Sequence, residues 1–418
     1  MMEMVNNSFR HGILFQEGKM EEARFIERPN RFTVRCALGS EILDAYLPNP
    51  GRLWELLLPD SVLYVVRRDV GQDRKLRGVV VAVEREGRPV MLHTLACNDI
   101  VADLLRQKRL PGFEGMNILQ REIARGRSRF DFLLEQNGAP RLLEVKSCTL
   151  FGRCIAMFPD AVTLRGRRHL LELAELSRQG TPAHVLFLVH WPHADFFLPD
   201  YHTDFDFAST FLAVRDAVRF SALAVDWQPD MTPGAEIREL YIPWELLERE
   251  VQDSGCYLLV LHLPRNENVI PGGSTLLSLR KGYYVTVVSI RSGLTRHLQK
   301  SSRRRPGSEN SRKSTVPDNL KAAADKILAI PIRTTEPLEA ELNDALSRIA
   351  DWSVPGFEAR GDAGLAPVFG MAGPPLQRRA FVELLLDFRI NRLEKFLARG
   401  AGSSAGPPVG NPSLEKIQ

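Results

Sequence analysis

Hydrophobic residues in the first quarter of the chain fall into short runs that turn-forming residues interrupt. PNPGR at 48–52 and DVGQDRK at 69–75 are the clearest interruptions. The runs are FTVRCAL, EILDAYL, SVLYVVRR and GVVVAVER. Their β-branched and aromatic residues favour strands. Several short strands so close together indicate a small β-barrel, which we assign to residues 23–95.

Between residues 96 and 230 the pattern changes to helical periodicity mixed with continuous apolar runs. ACNDIVADLLRQKRL and VTLRGRRHLLELAELSRQG have the spacing of helices, the first capped by Asn98 or Asp99 and the second ending at Gly180. AHVLFLVHW is continuously apolar, which is typical of a buried strand in an α/β sheet. FASTFLAVRDAVRFSA predicts another helix and LAVDW a last strand, so the class of this domain is α/β.

The remaining chain predicts a third domain, from 231 to 397, after a linker QPDMTPGAE at 228–236. GCYLLVLHL and GYYVTVVSI predict strands, whereas EPLEAELNDALSRIADW and RRAFVELLLDFRINRLEKFLA predict helices. The basic, Ser-rich segment 298–316 predicts a mobile loop. Composition predicts a disordered extension over 1–22 and a disordered tail over 398–418.

Composition is that of an ordinary soluble protein and narrows the function only slightly. Of the 418 residues, 44% are hydrophobic and 25% charged, and the net charge of +4 permits nucleic-acid binding without arguing for it. The five cysteines are scattered and include no C-x-x-C pair, which argues against a disulfide framework or zinc knuckle and favours a reducing, cytoplasmic location. No apolar run is long enough to span a membrane, so no membrane partner is expected.

One apolar hairpin carries charges where strands should be buried. SRFDFLLEQNGAPRLLEVKS at 128–147 predicts two strands joined by a turn at Asn137-Gly138. Because side chains alternate along a strand, Glu144 and Lys146 share one face while Leu143 and Val145 take the other. Charges beside buried strands cost free energy unless they are paired or hold a metal.

The hairpin has the residue types used in metal-dependent phosphodiester cleavage. Asp131 and Glu144 are the expected ligands of Mg²⁺ or Mn²⁺, because two carboxylates suit a hard cation that retains waters. Lys146 is expected to position the attacking water and stabilise negative charge. Glu122, on a preceding stretch predicted to be helical, adds a carboxylate through a water. The alternative is a surface hairpin with an ordinary Glu–Lys pair.

Two further groups of polar residues have weaker patterns. Arg165, Arg167, Arg168 and His169 begin the second predicted helix, where they either contact phosphate or form a solvated face. Metal-ligand spacing is absent from another set, to which we assign structural roles: His184, His190, His193, His202, Asp204 and Asp206. Trp54 is expected in the core.

Several blocks resemble the sugar fermentation stimulation protein A family, in order from about residue 25 to 227. They are PNPGR, GRSRFDFLL, LLEVKSCTL, FPDAVTLRGRRHLLEL and FLPDYHTDFDFA. The resemblance implies an OB-like barrel followed by a PD-(D/E)XK nuclease-like domain, in DNA-binding proteins, with Asp131, Glu144 and Lys146 on the nuclease-motif positions. It favours DNA contacts by Arg165 and His169, and Arg52 and Arg168 are similar candidates. Pro50 replaces the family's usual Thr, which leaves that loop's hydrogen bonding open.

Residues from about 236 to 397 resemble a GIY-YIG-related domain of unknown function. The blocks are GCYLLVL, KGYYVTVVSIRSGLTRHLQK and IPIRTTEPLEAEL. On that resemblance Tyr257, Arg296 and Glu339 fall on nuclease positions, with Glu341 an equal choice for the acid. Thr286 stands where a Tyr belongs and Val288 where a Gly belongs, although Val lacks the backbone freedom of Gly and Thr lacks a phenol. We therefore expect a degenerate second site that does not cleave DNA.

Together these features predict an α/β multidomain protein in an OB-like, nuclease-like and GIY-YIG-like order. The expected function is DNA binding with a metal-dependent phosphodiesterase site. One alternative is a non-catalytic DNA-binding transcriptional regulator of sugar metabolism, whose carboxylates hold a structural ion. Another is a scaffold that acts through the third domain and has no affinity for DNA.

Overall fold

The first domain is a closed barrel. In a computed structural model, which describes residues 19–68, 76–269, 277–301, 316–354 and 367–401, its strands are β1 (Met20–Asn30), β2 (Thr33–Leu38), β3 (Glu41–Tyr46), β4 (Val62–Arg67), β5 (Gly78–Arg85) and β6 (Arg88–Met91). The strand order is β3-β2-β1-β4-β5-β6, and β3 pairs with β5 through Ala45 and Gly78, which closes five strands into a barrel. The barrel prediction is confirmed.

Strand β1 starts earlier than the sequence suggests. Met20 pairs with Val66, so residues 20–22 extend the barrel and do not belong to a disordered extension. Residues 1–18 and the predicted turn at 69–75 lie outside the described residues.

The middle domain is a mixed six-stranded sheet between helices. Its elements are α1 (Cys97–Arg106), β7 (Asn117–Arg125), β8 (Ser128–Gln136), β9 (Ala139–Cys148), β10 (Leu150–Phe151), β11 (Ile155–Phe158), α2 (Leu164–Arg178), β12 (Ala183–Val189), β13 (Phe196–Pro199), α3 (Phe205–Ala213), β14 (Val218–Trp227), β15 (Pro233–Glu239) and α4 (Trp244–Glu250). The order is β15-β14-β12-β9-β8-β7, with β9, β12 and β14 parallel. Strands β10, β11 and β13 form a separate small sheet.

Both faces of the central strand β12 are buried, as its continuous apolar run predicts. Val185 and Phe187 pack in one core cluster with residues of α2 and α3, whereas Leu186 and Leu188 pack in another with residues of α1. The α/β class predicted for this part of the chain is confirmed, and the carboxyl ends of the strands are placed beside the barrel.

Three local predictions in this domain are wrong because strand pairing overrides the local sequence pattern. Glu122 lies on strand β7, which pairs with β8, and not on a helix. Helix α3 ends at Ala213, since residues from Val218 onward pair with β12. The second half of the predicted linker is strand β15, which pairs with β14 and extends the middle domain beyond residue 230.

The third domain is built on an antiparallel sheet with helices on both faces. Its elements are β16 (Gly255–Leu263), β17 (Glu267–Val269), β18 (Leu277–Leu279), β19 (Gly282–Ile290), α5 (Leu294–Ser301), α6 (Val316–Ala323), β20 (Lys326–Arg333), α7 (Glu339–Ile349), β21 (Trp352–Ser353), β22 (Val368–Met371), α8 (Arg379–Arg389) and α9 (Glu394–Ala401). The order is β20-β16-β19-β22-β21. Leu294 of α5 packs with Tyr257, and Leu342 of α7 packs with Leu258 on the other face.

The last predicted helix is two helices separated by a turn at Asn391–Leu393. The ends of the predicted mobile loop are helical, at 298–301 and 316, and its remainder lies outside the described residues. Residues 398–401 of the predicted tail belong to α9, and residues 402–418 lie outside the described part.

The turn between α8 and α9 docks the third domain onto the other two. Ile390 and Leu393 lie in the same core cluster as Phe151 and Trp191 of the middle domain. The buried His202 donates from Nε2 to the Arg389 carbonyl (2.7 Å) and accepts at Nδ1 from the Arg333 amide (2.9 Å). Burial lowers the pKa of His202 well below its usual value, so the ring is neutral, as these two bonds require.

Helices long and apolar enough to cross a membrane are absent from the described residues.

Candidate active site between the barrel and the middle domain

A cavity of about 290 Å³ lies where the barrel meets the middle domain. The barrel contributes the loop Asn49–Gly51, and α1 contributes its first turn. The hairpin of β8 and β9 forms the floor, and the start of α2 brings Arg165. The polar and charged lining residues are Asn49, Thr94, Asn98, Asp131, Glu144, Lys146, Ser147, Thr149, Asp160 and Arg165. The three hairpin residues predicted to form a site therefore meet in one cavity.

Asp131 is held where strands β8 and β9 separate. Their pairing extends only from Gln136 to Phe132, so the amide of Val145 is free to donate to Asp131 Oδ2 (2.7 Å). Asn98 donates to Asp131 Oδ1 (2.7 Å) from α1. Asn98 is thus a site residue, and the helix begins after Ala96 without a side-chain cap, contrary to the predicted cap at Asn98 or Asp99. Burial and the neighbouring Glu144 raise the pKa of Asp131.

Glu144 is 3% exposed, and its two oxygens have different surroundings. Oε1 forms an ion pair with Lys146 and accepts from His169 Nδ1 at 2.6 Å. Among the described residues Oε2 has no hydrogen-bond partner, although it is buried. Burial raises the pKa of Glu144, but the charge of Lys146 and the bond from His169 outweigh it and lower the pKa to about 2. Glu144 is therefore ionised at neutral pH, with one oxygen free to accept.

The carboxylate oxygens of Asp131 and Glu144 fit a hard divalent cation that takes most of its other ligands from water. In the described ranges no three His, Cys, Asp or Glu side chains converge as a metal-holding group. Asp131 and Glu144 both face the cavity, and Glu144 Oε2 is an acceptor without a donor among the described residues. Mg²⁺ typically binds to one or two carboxylates and keeps several waters. Asp131 and Glu144 are thus the residues that would hold it.

The basic start of α2 divides into buried and exposed positions. His169 is 1% exposed and does not line the cavity, so the structure gives its predicted DNA contact no support and that contact stays a prediction. His169 positions Glu144, and its Nε2 accepts from Arg165 Nε at 3.2 Å. Arg165 is exposed at the cavity, and Arg168 is exposed one turn later on the same helix. Arg167 forms an ion pair with Asp206 (2.9 Å).

The loop of PNPGR is fastened to the middle domain by the partly buried carboxylate of Asp160. Asp160 Oδ2 accepts from the amide of Leu53 (3.3 Å). A Cβ on Gly51 would overlap the Asp160 carboxylate, so only Gly permits this approach. Asn49 Oδ1 accepts from the amide of Gly51 (2.9 Å). The loop therefore has an internal hydrogen bond although Pro50 stands in place of the family's Thr.

Arg52 and Trp54 turn away from the cavity. The Arg52 guanidinium lies 5.0 Å from the centre of the Trp54 ring. Trp54 is half-buried against the core of the third domain, which agrees with its predicted core position. Arg52 is exposed but does not line the cavity, so any contact it makes with DNA is outside the site.

Glu122 is exposed on the edge strand β7. Its neighbours Arg121 and Ile123 pair with Phe132 and Phe130, so Glu122 lies level with Asp131 on the next strand. Its carboxylate forms an ion pair with Arg129 (3.3 Å) and does not line the cavity. An outer contribution through water stays a prediction.

The histidines and aspartates around β12 and α3 have structural partners, as predicted. His184 is stacked on Phe113 (4.5 Å) and bonded to Ser221 (3.0 Å), and burial lowers its pKa. His190 accepts from Trp227 (3.1 Å), and burial lowers its pKa to about 3. Asp204 caps α3. His184, His190 and Asp204 are buried in the core, whereas His193 and Asp206 are exposed.

The structure does not bring the predicted second site together. Tyr257 packs with Leu294 of α5 on one face of the sheet, and Arg296 is exposed on that helix. Glu339 begins α7 on the opposite face, where it accepts from Ser289. The sheet itself therefore separates Tyr257 from Glu339.

The sequence did not single out several polar residues of the cavity as functional, among them Asn49, Asn98 and Asp160. Asn49 and Asp160 lie inside the blocks PNPGR and FPDAVT, and the resemblance of these blocks to the family was the sequence feature that could have identified them. Asn98 had none beyond its position near a helix start.

Comparison with known proteins matches the first two domains to one family. The profile described as "SfsA N-terminal OB domain" matches residues 26–92, and "Sugar fermentation stimulation protein RE domain" matches residues 95–231. The barrel is therefore of the OB type.

Relatives and a solved structure agree with these matches. The sugar fermentation stimulation protein homolog of Methanothermobacter thermautotrophicus is 39% identical over 46% of this chain and 80% of its own. That of Moorella thermoacetica is 40% identical over 47% and 84%. A solved structure of Pyrococcus furiosus SfsA in complex with Ca²⁺ is 28% identical, with a TM-score of 0.50 over 55% of this chain and 98% of that one. This chain belongs to the sugar fermentation stimulation protein family.

Proposed function

We propose that this chain binds DNA and hydrolyses its phosphodiester bonds with a divalent cation held by Asp131 and Glu144. The observation that supports this most is the buried Oε2 of Glu144, which has no hydrogen-bond partner in the part of the chain that the structure describes and lies beside Asp131 and Lys146 in one cavity. Leaving such an acceptor unpaired costs free energy, which a bound cation would recover. The solved structure of Pyrococcus furiosus SfsA is a complex with Ca²⁺, also an oxygen-preferring ion.

Each residue has a distinct task in this proposal. When bound, a divalent cation would polarise the phosphate and lower the pKa of water. Lys146 is only 15% exposed, so its charge acts in a poorly solvated site and can orient a water and stabilise negative charge. His169 keeps Glu144 oriented through Oε1, and Oε2 would then be available to hold a cation.

Exposed arginines near the cavity support DNA as the substrate. Arg165 and Arg168 are exposed on α2, and Arg125 and Arg127 are exposed at the tip of the β7–β8 hairpin. Contacts between cations and phosphates give affinity without sequence preference. These side chains can therefore align a DNA backbone with the carboxylates.

A cleavage assay tests the proposal. The full chain should cleave single-stranded, double-stranded or branched DNA in Mg²⁺ or Mn²⁺, and Lys146→Ala should lower the rate by about a hundredfold or more. Arg296→Ala and Glu339→Ala should cleave like the wild type, because the third domain is proposed to be non-catalytic. No cleavage of any of these substrates by the wild-type chain would favour the non-catalytic regulator.

The same assay tests whether the third domain cleaves DNA. Cleavage that survives Lys146→Ala but is lost in Arg296→Ala or Glu339→Ala would show an active GIY-YIG-like site. The full chain is required for this comparison, since residues 233–239 pair within the middle sheet and Ile390 packs in the shared core.

DNA affinity is expected to fall steeply with salt, because neutralised phosphates release counterions. Arg165→Gln should weaken binding of unrelated sequences about equally and reduce the dependence of log K on log salt by about one. Arg348→Gln, on the exposed face of α7, is the control and should leave both unchanged. Fluorescence anisotropy at several salt concentrations measures this. Affinity that does not change with salt would contradict the phosphate contacts.

A further inference from the structure

The barrel contributes a buried amide side chain to the cavity of the middle domain. Asn49 is 3% exposed and lies in the loop between β3 and β4, yet it lines the same cavity as Asp131 and Glu144. The two parts of the cavity therefore come from different domains.

The orientation of the Asn49 side chain follows from its hydrogen bonds. Oδ1 accepts from the amide of Gly51 at 2.9 Å, which assigns the oxygen to that side of the side chain. The NH₂ group must then occupy the other side. Nδ2 is buried, and within the described part of the chain it has no hydrogen-bond partner. A buried donor without an acceptor is costly, so an acceptor from a ligand would satisfy it.

The loop that carries Asn49 is fastened at several points. Arg28 donates to the Asn49 carbonyl (3.0 Å), and Thr94 donates from Oγ1 to the carbonyl of Pro48 (2.7 Å). On the other side of Asn49, Asp160 accepts from the amide of Leu53. The side-chain amide of Asn49 is thus held in place before any ligand arrives, which limits the entropy lost on binding.

Two groups of the cavity lack a hydrogen-bond partner in the described ranges of the chain, and they have opposite character. Glu144 Oε2 is an acceptor and suits a cation, whereas Asn49 Nδ2 is a donor and cannot bind one. A donor beside an exposed arginine, Arg165, suits the oxygen of an anion. A phosphodiester is the group that places anionic oxygens next to both a cation and these donors.

We propose that Asn49 is a substrate-positioning residue whose Nδ2–H donates to a phosphate oxygen of the DNA strand in the cavity. The OB barrel then completes the active site and is more than a separate DNA-binding module. This inference rests on the proposed function, because the anion is taken to be a DNA phosphate.

The test is Asn49→Asp in the full chain. The aspartate keeps an Oδ1 acceptor for the Gly51 amide but replaces the donor by an anionic oxygen. Affinity for the DNA form that the wild type binds most tightly, measured by anisotropy with Ca²⁺, should fall by about tenfold or more. Affinity for Mn²⁺ alone, measured by calorimetry, should be equal or higher, because a carboxylate is added to the cavity.

The control is Asn30→Asp. Asn30 Oδ1 accepts from the amide of Phe32 (2.9 Å) in the same local arrangement, but the residue is exposed and does not line the cavity. The Asn30→Asp substitution adds the same charge to the barrel and should leave DNA affinity unchanged.

Three outcomes would overturn the inference. Wild-type DNA affinity in Asn49→Asp would remove Asn49 from the binding site and leave the proposed function standing. A loss of affinity accompanied by a thermal midpoint well below that of Asn30→Asp would make Asn49 a structural residue. No DNA binding or cleavage by the wild type would overturn the proposed function and this inference together.

Discussion

Asp131→Asn and Glu144→Gln are each expected to weaken Mn²⁺ binding by on the order of a hundredfold or more. Loss of a group that only orients a ligand already costs about 10–100-fold. Each substitution removes a ligand charge while keeping the side-chain shape. In Asp131→Asn the amide oxygen can still accept from the Val145 amide or from Asn98. Calorimetric titration of Mn²⁺ into the full chain is the measurement, with circular dichroism to verify the fold.

Glu122→Gln is the matched control for these two variants. Glu122 lies level with Asp131 on the neighbouring strand, but it is exposed and paired with Arg129. Its removal should change Mn²⁺ affinity much less than either cavity substitution. Unchanged binding in both Asp131→Asn and Glu144→Gln would remove the metal from the cavity and, with it, the proposed chemistry.

Arg389→Met is expected to lower the free energy of unfolding by about 3–5 kcal/mol, because it leaves a buried charge without its partner. Asp200 is 0% exposed, and Arg389 donates to its two oxygens at 3.1 and 3.3 Å. Arg389 also donates to Thr203 Oγ1 (2.6 Å). These bonds join the third domain to the middle domain. Chemical denaturation followed by tryptophan fluorescence measures the loss.

Arg348→Met is the control for this prediction. Arg348 pairs with Asp344 one turn away on α7, and both side chains are more than half exposed. Exposed pairs of this kind contribute less than about 1 kcal/mol. Equal losses in the two variants would show that burial of the Asp200–Arg389 pair does not govern the docking of the third domain.

Local sequence accounts for the elements whose partners lie close along the chain. The β8–β9 hairpin follows from its alternation and from Asn137-Gly138, which adopt φ values of 53° and 81° as a tight turn requires. Strand alternation also places Glu144 and Lys146 on one face, where they form an ion pair. Strand β12 was likewise predictable, because its continuous apolar run is buried on both faces. Helix α2 was predictable because its apolar spacing defines the face that it buries.

Long-range packing accounts for the rest, since a local pattern does not say which surface will cover it. Strand β7 has the periodicity of a helix, but its pairing with β8 makes it a strand and leaves Glu122 exposed. His169 belongs to a basic run, yet it is buried because the helix face it lies on packs over Glu144.

The two domains of the cavity meet through residues far apart in the chain. Asp160 fastens a barrel loop more than a hundred positions earlier, and this contact brings Asn49 beside the carboxylates. Residue types and spacing were therefore sufficient to predict Asp131, Glu144 and Lys146 as one group, and all three line the cavity. The assignment of Asn49, Asn98 and His169 required the tertiary fold, because their roles depend on burial and on hydrogen-bond partners from other elements.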